Sequence, residues 1–427
     1  MSSRTQNEPI VVTGIGLITA LGKDAPSTWE NIKAGRCGIS KIRPREGVPQ
    51  EVKLAAEIKL PTDFRQPDML DVIRYSRLAF QEAVQDANLD FQAMDPRMLG
   101  VASTGHMGDL RHCFFETGSA DSNSQIVPWW TQWLPQTATF DLAHAGRWLG
   151  PRLCFSTACA SSLVSVIQSA RYLRQGMCDV MVAGGAEQIE PLFAAGFYQM
   201  RALSDSGDHR TGCLPFDQNR SGFVMGEGAA FLVLERLSHA VARGAAIYAE
   251  ILSERMLSQA HHLTSLNLED EALTHLIKQT VRGAALDLTD VEYINAHGTG
   301  TMQNDITEIN CINSVFGSHA NQLHVSSTKS QIGHLVGASG SAELAVTLLG
   351  MRDRISPPTV NLQNPEPRCE FSCVANEAQT RDYRHSLKLS MAFGGHLAGI
   401  ALRRYDGIGC RQSTVSPDHT LRVRHAA

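Results

Sequence analysis

Short apolar runs alternate with helical stretches along most of the chain, and this rhythm constrains the fold more than any other feature. Strands are predicted over 9–13, 98–103, 153–156, 180–184 and 228–234, with helices over 70–87, 160–175 and 238–243. From residue 247 the rhythm starts again. Strands at 247–254, 293–295 and 324–326 alternate with helices at 271–285, 305–316 and 336–352, and 387–391 with 398–403 read as a closing hairpin. Such alternation argues for an α/β fold with parallel strands covered by helices. The halves share an order of elements without a residue-level repeat. The chain is therefore divided into 1–245, 246–405 and a polar tail, 406–427, expected to be mobile. Gly14-Ile-Gly16 after the first run invites a dinucleotide-binding reading, but the next glycine, Gly22, is off the required spacing. The segment is read as a strand and turn.

Composition excludes several classes. With 427 residues, 43% apolar and 19% charged, there is material for a large core, and neither a disordered nor a fibrous chain fits. A net charge of −5 is not that of a chain built to neutralise phosphates, so nucleic acid is not an expected partner. No apolar run approaches the roughly 18 residues needed to span a bilayer, and the polar start lacks a signal peptide's apolar stretch. The expectation is a cytoplasmic protein with no membrane insertion. Ten cysteines, none in C-x-x-C spacing, suggest free thiols and no metal site.

Three clusters carry candidate chemistry, each where a strand gives way to a helix or loop. In Ser156-Thr-Ala-Cys159-Ala-Ser-Ser, small residues surround a cysteine at the start of a buried helix, where helix-terminal amides are expected to lower the thiol pKa. In Asn295-Ala-His297-Gly-Thr299-Gly-Thr301, a histidine sits among glycines that admit a ligand to the backbone, with two threonines and then Asp305 and Glu308. Ser327-Thr-Lys329-Ser-Gln-Ile-Gly-His334 precedes a helix rich in small residues that contains Glu343. A buried structural cysteine, a satisfied turn histidine and a solvated lysine are the bland readings of each cluster alone. Their joint order is what points to a site.

Together with Gly184-Gly-Ala-Glu187, Phe216-Asp-Gln-Asn-Arg220-Ser-Gly-Phe, Gly226-Glu-Gly228 and Phe393-Gly-Gly395, these clusters resemble the elongating β-ketoacyl-[acyl-carrier-protein] synthases of the thiolase superfamily over about residues 8–405. The resemblance implies a thiolase-like, five-layered αβαβα fold built from two similar halves. It implies an acyltransferase in fatty-acid or polyketide biosynthesis that condenses an acyl thioester with malonyl-carrier protein. Cys159 would carry the acyl group, and His297 and His334 would stabilise the enolate left by decarboxylation. Lys329 would support the second histidine, with Glu343 and Asp305 in the supporting network. Backbone amides of Cys159 and Phe393 would form the oxyanion hole, Phe393 also gating the pocket. Thr299 and Thr301 would hold the phosphopantetheine arm. Acyl carrier protein is the implied partner, a homodimer the implied assembly with a heterodimer as its alternative, and no cofactor is implied beyond the carrier's own arm.

The residues also separate relatives. Biosynthetic thiolases carry a second catalytic cysteine in the C-terminal Gly-rich loop, which Phe393-Gly-Gly-His396 lacks. Chain-initiating synthases place Asn where this chain has His334. A non-catalytic or decarboxylase-only partner subunit of a polyketide synthase is the alternative, opposed by Cys159. A papain-like hydrolase has no use for the Lys329/His334 cluster. Departures from the pattern are Ala392 in place of glycine before the gate, His396-Leu397 in place of Thr-Asn, and Leu389 in place of an asparagine at a cation site. His396 is read as structural. His106, Trp130, Trp133 (with Trp129 beside them) and Phe197 are the candidates for the acyl-pocket wall, where large indoles would favour a short, aromatic or unusual chain; filling an interface is their other reading. Arg201, Arg210, Arg74 and Arg77 are candidates for docking an acidic carrier.

Overall fold

The computed structural model describes residues 8–59, 69–105, 131–265, 271–407 and 409–412. Ten strands form one sheet: β1 (Ile10–Thr19), β2 (Leu99–Thr104), β3 (Arg152–Phe155), β4 (Val180–Glu187), β5 (Gly228–Arg236), β6 (Ala249–Ser258), β7 (Tyr293–Asn295), β8 (His324–Ser326), β9 (His385–Ala392) and β10 (His396–Arg404). Their spatial order is β8-β7-β9-β10-β6-β1-β5-β4-β2-β3. Read outward from the β1–β6 seam, the two sides are the same. In each, two antiparallel pairings are followed by two parallel ones. The expected pair of similar halves is thus a topological repeat, joined where Ile10–Val12 pair antiparallel with Ala249–Ile251.

Five helices give the layers: α1 (Asp71–Asp86), α2 (Ser161–Arg174), α3 (Glu271–Gly283), α4 (Met302–Phe316) and α5 (Ser339–Asp353). α1 covers β1, β4 and β5 on one outer face; α3 covers β6 and β10 on the other, with α4 beside it. Between the halves lie α2 and α5, each touching strands of both. α5 has no polar face, because nearly all of its residues are buried, as a helix in a central layer requires. Small residues let the pair approach. A side chain at Gly340 would come within 2.7 Å of Leu163, and Ser341 donates its amide to Ser162 Oγ at 2.9 Å. The result is the expected αβαβα order.

Two differences from the sequence reading have clear causes. β1 does not turn at Gly14 but continues to Thr19. Gly14 and Gly16 serve helix packing, since a Cβ on either would lie 2.2 and 1.8 Å from the α1 carbonyls of Ala83 and Ala79. The segment read as a mobile tail is docked at its start: Ile247 donates to the carbonyl of Gly409 at 2.8 Å, and the Arg411 guanidinium stands 4.7 Å over the Tyr248 ring. Residues 413–427 lie outside the described residues.

Glu235, fully buried on β5, ties the first half together. Arg243 grips both its oxygens at 2.6 and 2.7 Å, while His239 and the Thr13 hydroxyl also bond to it. Burial pushes its carboxyl up, but these bonds win and hold it down to about 2. No described helix is long and apolar enough to cross a membrane.

Candidate active site

β3 ends at Phe155, and the chain reaches α2 through Ala158, held at φ +47° in the left-handed region that non-glycine residues rarely adopt. Ser161 Oγ braces this bend, accepting from the Thr157 amide at 2.8 Å and donating to the Ala158 carbonyl at 2.7 Å. Cys159 follows the strained residue, and its sulfur lies 3.2 Å from His334 Nε2. The expected lowering of the thiol pKa does not hold. Burial pushes it up to about 12, outweighing the nearby Lys329 charge and the cysteine's own amide. The sulfur is a neutral thiol at rest.

His334 is pinned by its backbone, donating to the Val224 carbonyl at 2.7 Å and accepting from the Gly226 amide at 2.9 Å. Its Nδ1 lies 2.8 Å from Ser339 Oγ at the start of α5. The His297 ring stands edge-on to it with centroids 5.5 Å apart. Glu308 shapes the loop behind His297, its two oxygens accepting the His297 and Gly298 amides at 2.6 Å each. Asp305 does the same one step on, taking the Thr299 amide at 3.0 Å and the Phe216 amide at 2.8 Å. Thr299 and Thr301 share a hydroxyl contact of 2.9 Å.

Lys329, completely buried, donates to the His297 carbonyl and faces His297 Nδ1 at 3.4 Å. An ammonium only donates, so His297 Nδ1 is the acceptor and its Nε2 carries the hydrogen. Lys329 thus contacts the first histidine directly and reaches the second, His334, through its field. Glu343 holds Lys329 at 2.5 Å with one oxygen and Lys388 at 2.5 Å with the other. Burial, joined by the charges of Lys329 and Lys388, keeps both imidazoles well below their usual pKa.

Cys159, His297, His334, Thr299, Thr301 and Phe393 line one cavity of about 360 Å³, whose rim includes the exposed Met200 and Met302. Cys159 is therefore reachable from this cavity. Phe197 lines this cavity, its ring tilted 47° to that of Phe393 with centroids 6.3 Å apart. Trp133 is not: it is 47% exposed and lies off the cavity, which corrects its assignment. His106, Trp129 and Trp130 lie outside the described residues. His396 is a strand residue opposite Ala392, away from the cavity wall. Of the docking arginines, Arg201 borders the cavity, whereas Arg77 is spent on the buried Asp141 at 2.6 and 2.7 Å and Arg210 pairs with Asp208 at 2.9 Å. Among the described residues no cluster suited to a metal ion is found.

Sequence reasoning missed Lys388 and Ser339. The signal for Lys388 was there: a single lysine in Leu387-Lys388-Leu389-Ser390-Met391, a strand apolar on both faces, must meet a buried carboxylate. Ser339 carried no such signal, because a serine at a helix start reads as a cap.

Residues 7–240 match the model of the β-ketoacyl synthase N-terminal domain, and 248–363 that of the C-terminal domain. The chain is 36% identical over 417 residues to 3-oxoacyl-[acyl-carrier-protein] synthase 2 of Staphylococcus aureus (strain COL), covering 94% of this chain and all of that one. It is 34% identical to the Synechocystis enzyme of the same name, over 94% and 99% of the two chains. Among solved structures, a type II polyketide ketosynthase in complex with its acyl-carrier protein aligns with a TM-score of 0.84 at 29% identity, over 93% of this chain and all of that one. A β-ketoacyl synthase from Burkholderia phymatum aligns at 0.83 and 30%, with the same coverage. The chain belongs to the β-ketoacyl synthase family.

Proposed function

We propose that this chain is a β-ketoacyl-[acyl-carrier-protein] synthase, acting in fatty-acid or polyketide biosynthesis, whose chemistry is carried by Cys159, His297, His334 and Lys329. The observation that carries the reading is the convergence of one thiol and two neutral imidazoles in a single accessible cavity.

In the first step His334 Nε2 takes the Cys159 proton as the sulfur attacks the carbonyl of an acyl-carrier thioester. The tetrahedral oxyanion is met by the backbone amides of Cys159 and Phe393. The carbon–sulfur bond to the carrier's arm breaks, and the leaving thiolate recovers the proton. In the second step malonyl-carrier protein loses CO2, and the electrons of the broken carbon–carbon bond move onto the thioester oxygen. N–H groups of His297 and His334 stabilise that enolate; removing one such donor typically costs about 10²–10³ in rate. Its α-carbon attacks the acyl-Cys159 carbonyl, the carbon–sulfur bond to Cys159 breaks, and the thiolate released takes up one proton from water, the proton the overall reaction consumes.

Thr299 and Thr301 hold the phosphopantetheine arm of the acyl carrier protein, and no other cofactor enters the balance. The reading includes a homodimer in the cytoplasm. The test mixes an acyl-carrier with malonyl-carrier protein and follows CO2 and 3-oxoacyl-carrier by mass spectrometry. Equimolar release of both is expected, and CO2 without product would favour a decarboxylase-only subunit.

A further inference from the structure

The centre of the molecule holds a second fully buried lysine that the condensation does not use. Lys388 lies in β9, in register with Asn295 of β7, and is flanked by the buried Leu387 and Leu389. Its ammonium stands 2.5 Å from Glu343, and it donates to the carbonyls of Leu389 at 2.5 Å and Ala296 at 3.3 Å. Ala296 immediately precedes His297. The other oxygen of Glu343 holds Lys329, which in turn donates to the His297 carbonyl. Lys388 is therefore linked to His297 by two routes, one through backbone and one through Glu343 and Lys329. One carboxylate is shared by two ammoniums, and the carboxyl groups of Glu308 and Asp305 are committed to the amides of the 297–300 loop. Lys388 thus adds a positive charge whose field reaches both imidazoles, with Glu343 and Glu308 offsetting part of it.

We propose that Lys388 is a positioning residue for the decarboxylation, fixing His297 through Ala296 and the Glu343–Lys329 bridge and supplying a positive charge that favours an enolate in front of the imidazoles. This rests on the function proposed above. A charge buried in a low-dielectric centre acts over a longer reach than one in water, which is what lets an ammonium one layer back influence the cavity. The groups that face Lys388 are Glu343 from α5, Lys329 from the short helix Lys329–Ile332, Glu308 from α4, His297 after β7 and His334 after that short helix. Burial pulls the ammonium down to about 8, with Glu343 opposing, so its charge is lost on the alkaline side of neutrality.

The test is Lys388→Met, which leaves Glu343 and Lys329 as a balanced pair and matches the lysine stem in volume. Malonyl-carrier decarboxylation is expected to fall about tenfold in kcat with KM unchanged, less than the loss of a direct donor. The wild-type rate should decline above about pH 8, a limb the variant lacks, following the ammonium's own titration. The His297 imidazole, followed by NMR without substrate, should titrate at higher pH in the variant. That last reading stands whether or not the reaction assignment does. Lys388→Gln keeps a donor for the carbonyls but not the charge, and should behave like Met. Unchanged imidazole titration in both variants, or a Gln variant with the wild-type pH profile, would overturn the proposal. Should the Met variant not fold, the Gln variant decides.

Discussion

Nε2 of His334 and Sγ of Cys159 are 3.2 Å apart, inside a pocket that keeps both groups uncharged. Burial raises the thiol and depresses the imidazole, so the proton rests on sulfur and moves to nitrogen only as a thioester carbonyl arrives. Activation is thus a proton transfer within a hydrogen bond and not a standing thiolate. His334→Ala is expected to slow acyl transfer to Cys159 by roughly 10²–10⁴, the usual yield of a positioned base. Single-turnover acylation, with circular dichroism to confirm the fold, measures it.

In the proposed reaction the same imidazole presents a bare Nε2 to the thiol and an Nε2–H to the enolate. Its Nδ1 partner, Ser339 Oγ at 2.8 Å, is a hydroxyl and so can accept from one tautomer or donate to the other. Ser339→Ala should lower kcat for acylation and decarboxylation about tenfold while leaving KM near wild type, since a hydrogen bond to this ring is worth about 1 kcal/mol or somewhat more. Ser339→Thr, which retains the hydroxyl, should restore most of the rate.

Thr299 and Thr301 line the cavity between its rim and the histidines, hydroxyl against hydroxyl at 2.9 Å. Replacing both by valine keeps their shape and removes the two hydroxyls proposed to hold the incoming arm. KM for acyl-carrier and for pantetheine thioesters should rise together by roughly tenfold, with kcat little changed. A rise for the carrier alone would place the threonines in protein docking instead.

Stability has its own pH signature at Glu235. The carboxyl falls from an ordinary 4.5 to about 2 on folding, because Arg243, His239 and Thr13 more than offset its burial. A depressed carboxylate stabilises the fold above its unfolded pKa, and the benefit is lost as pH falls through the folded value. Glu235→Gln should therefore cost about 3 kcal/mol at pH 7, the gap to wild type closing between about pH 4.5 and 2. Urea unfolding at both pH values checks the sign.

Much of this was legible before any coordinates. Period and length marked the sheet strands and the five layer helices, β7 and β8 coinciding with their expected ranges, but the nine-residue helices Ala25–Lys33, Thr137–Ala145 and Pro191–Gln199 were not read. What escaped follows from distance along the chain. Gly14 and Gly16 look like a turn until the backbone of α1, some seventy residues on, is seen to lie against them. The thiol pKa was misjudged because a helix start is visible in sequence and the depth of burial at Cys159 is not. Arg77 looked available until Asp141 was found against it. The direct contact of Lys329 with His297 was hidden because the two lie thirty-two positions apart and only the fold turns the ammonium back toward that ring.

The most direct measurement is the mass of the Cys159 peptide after wild-type protein and the His334→Ala and Cys159→Ala variants meet an acyl-carrier thioester. The wild type should gain one acyl group at Cys159, the histidine variant the same group at a rate at least a hundredfold lower, and the alanine variant none. An acyl group on any other residue, or equal rates with and without His334, would contradict the account.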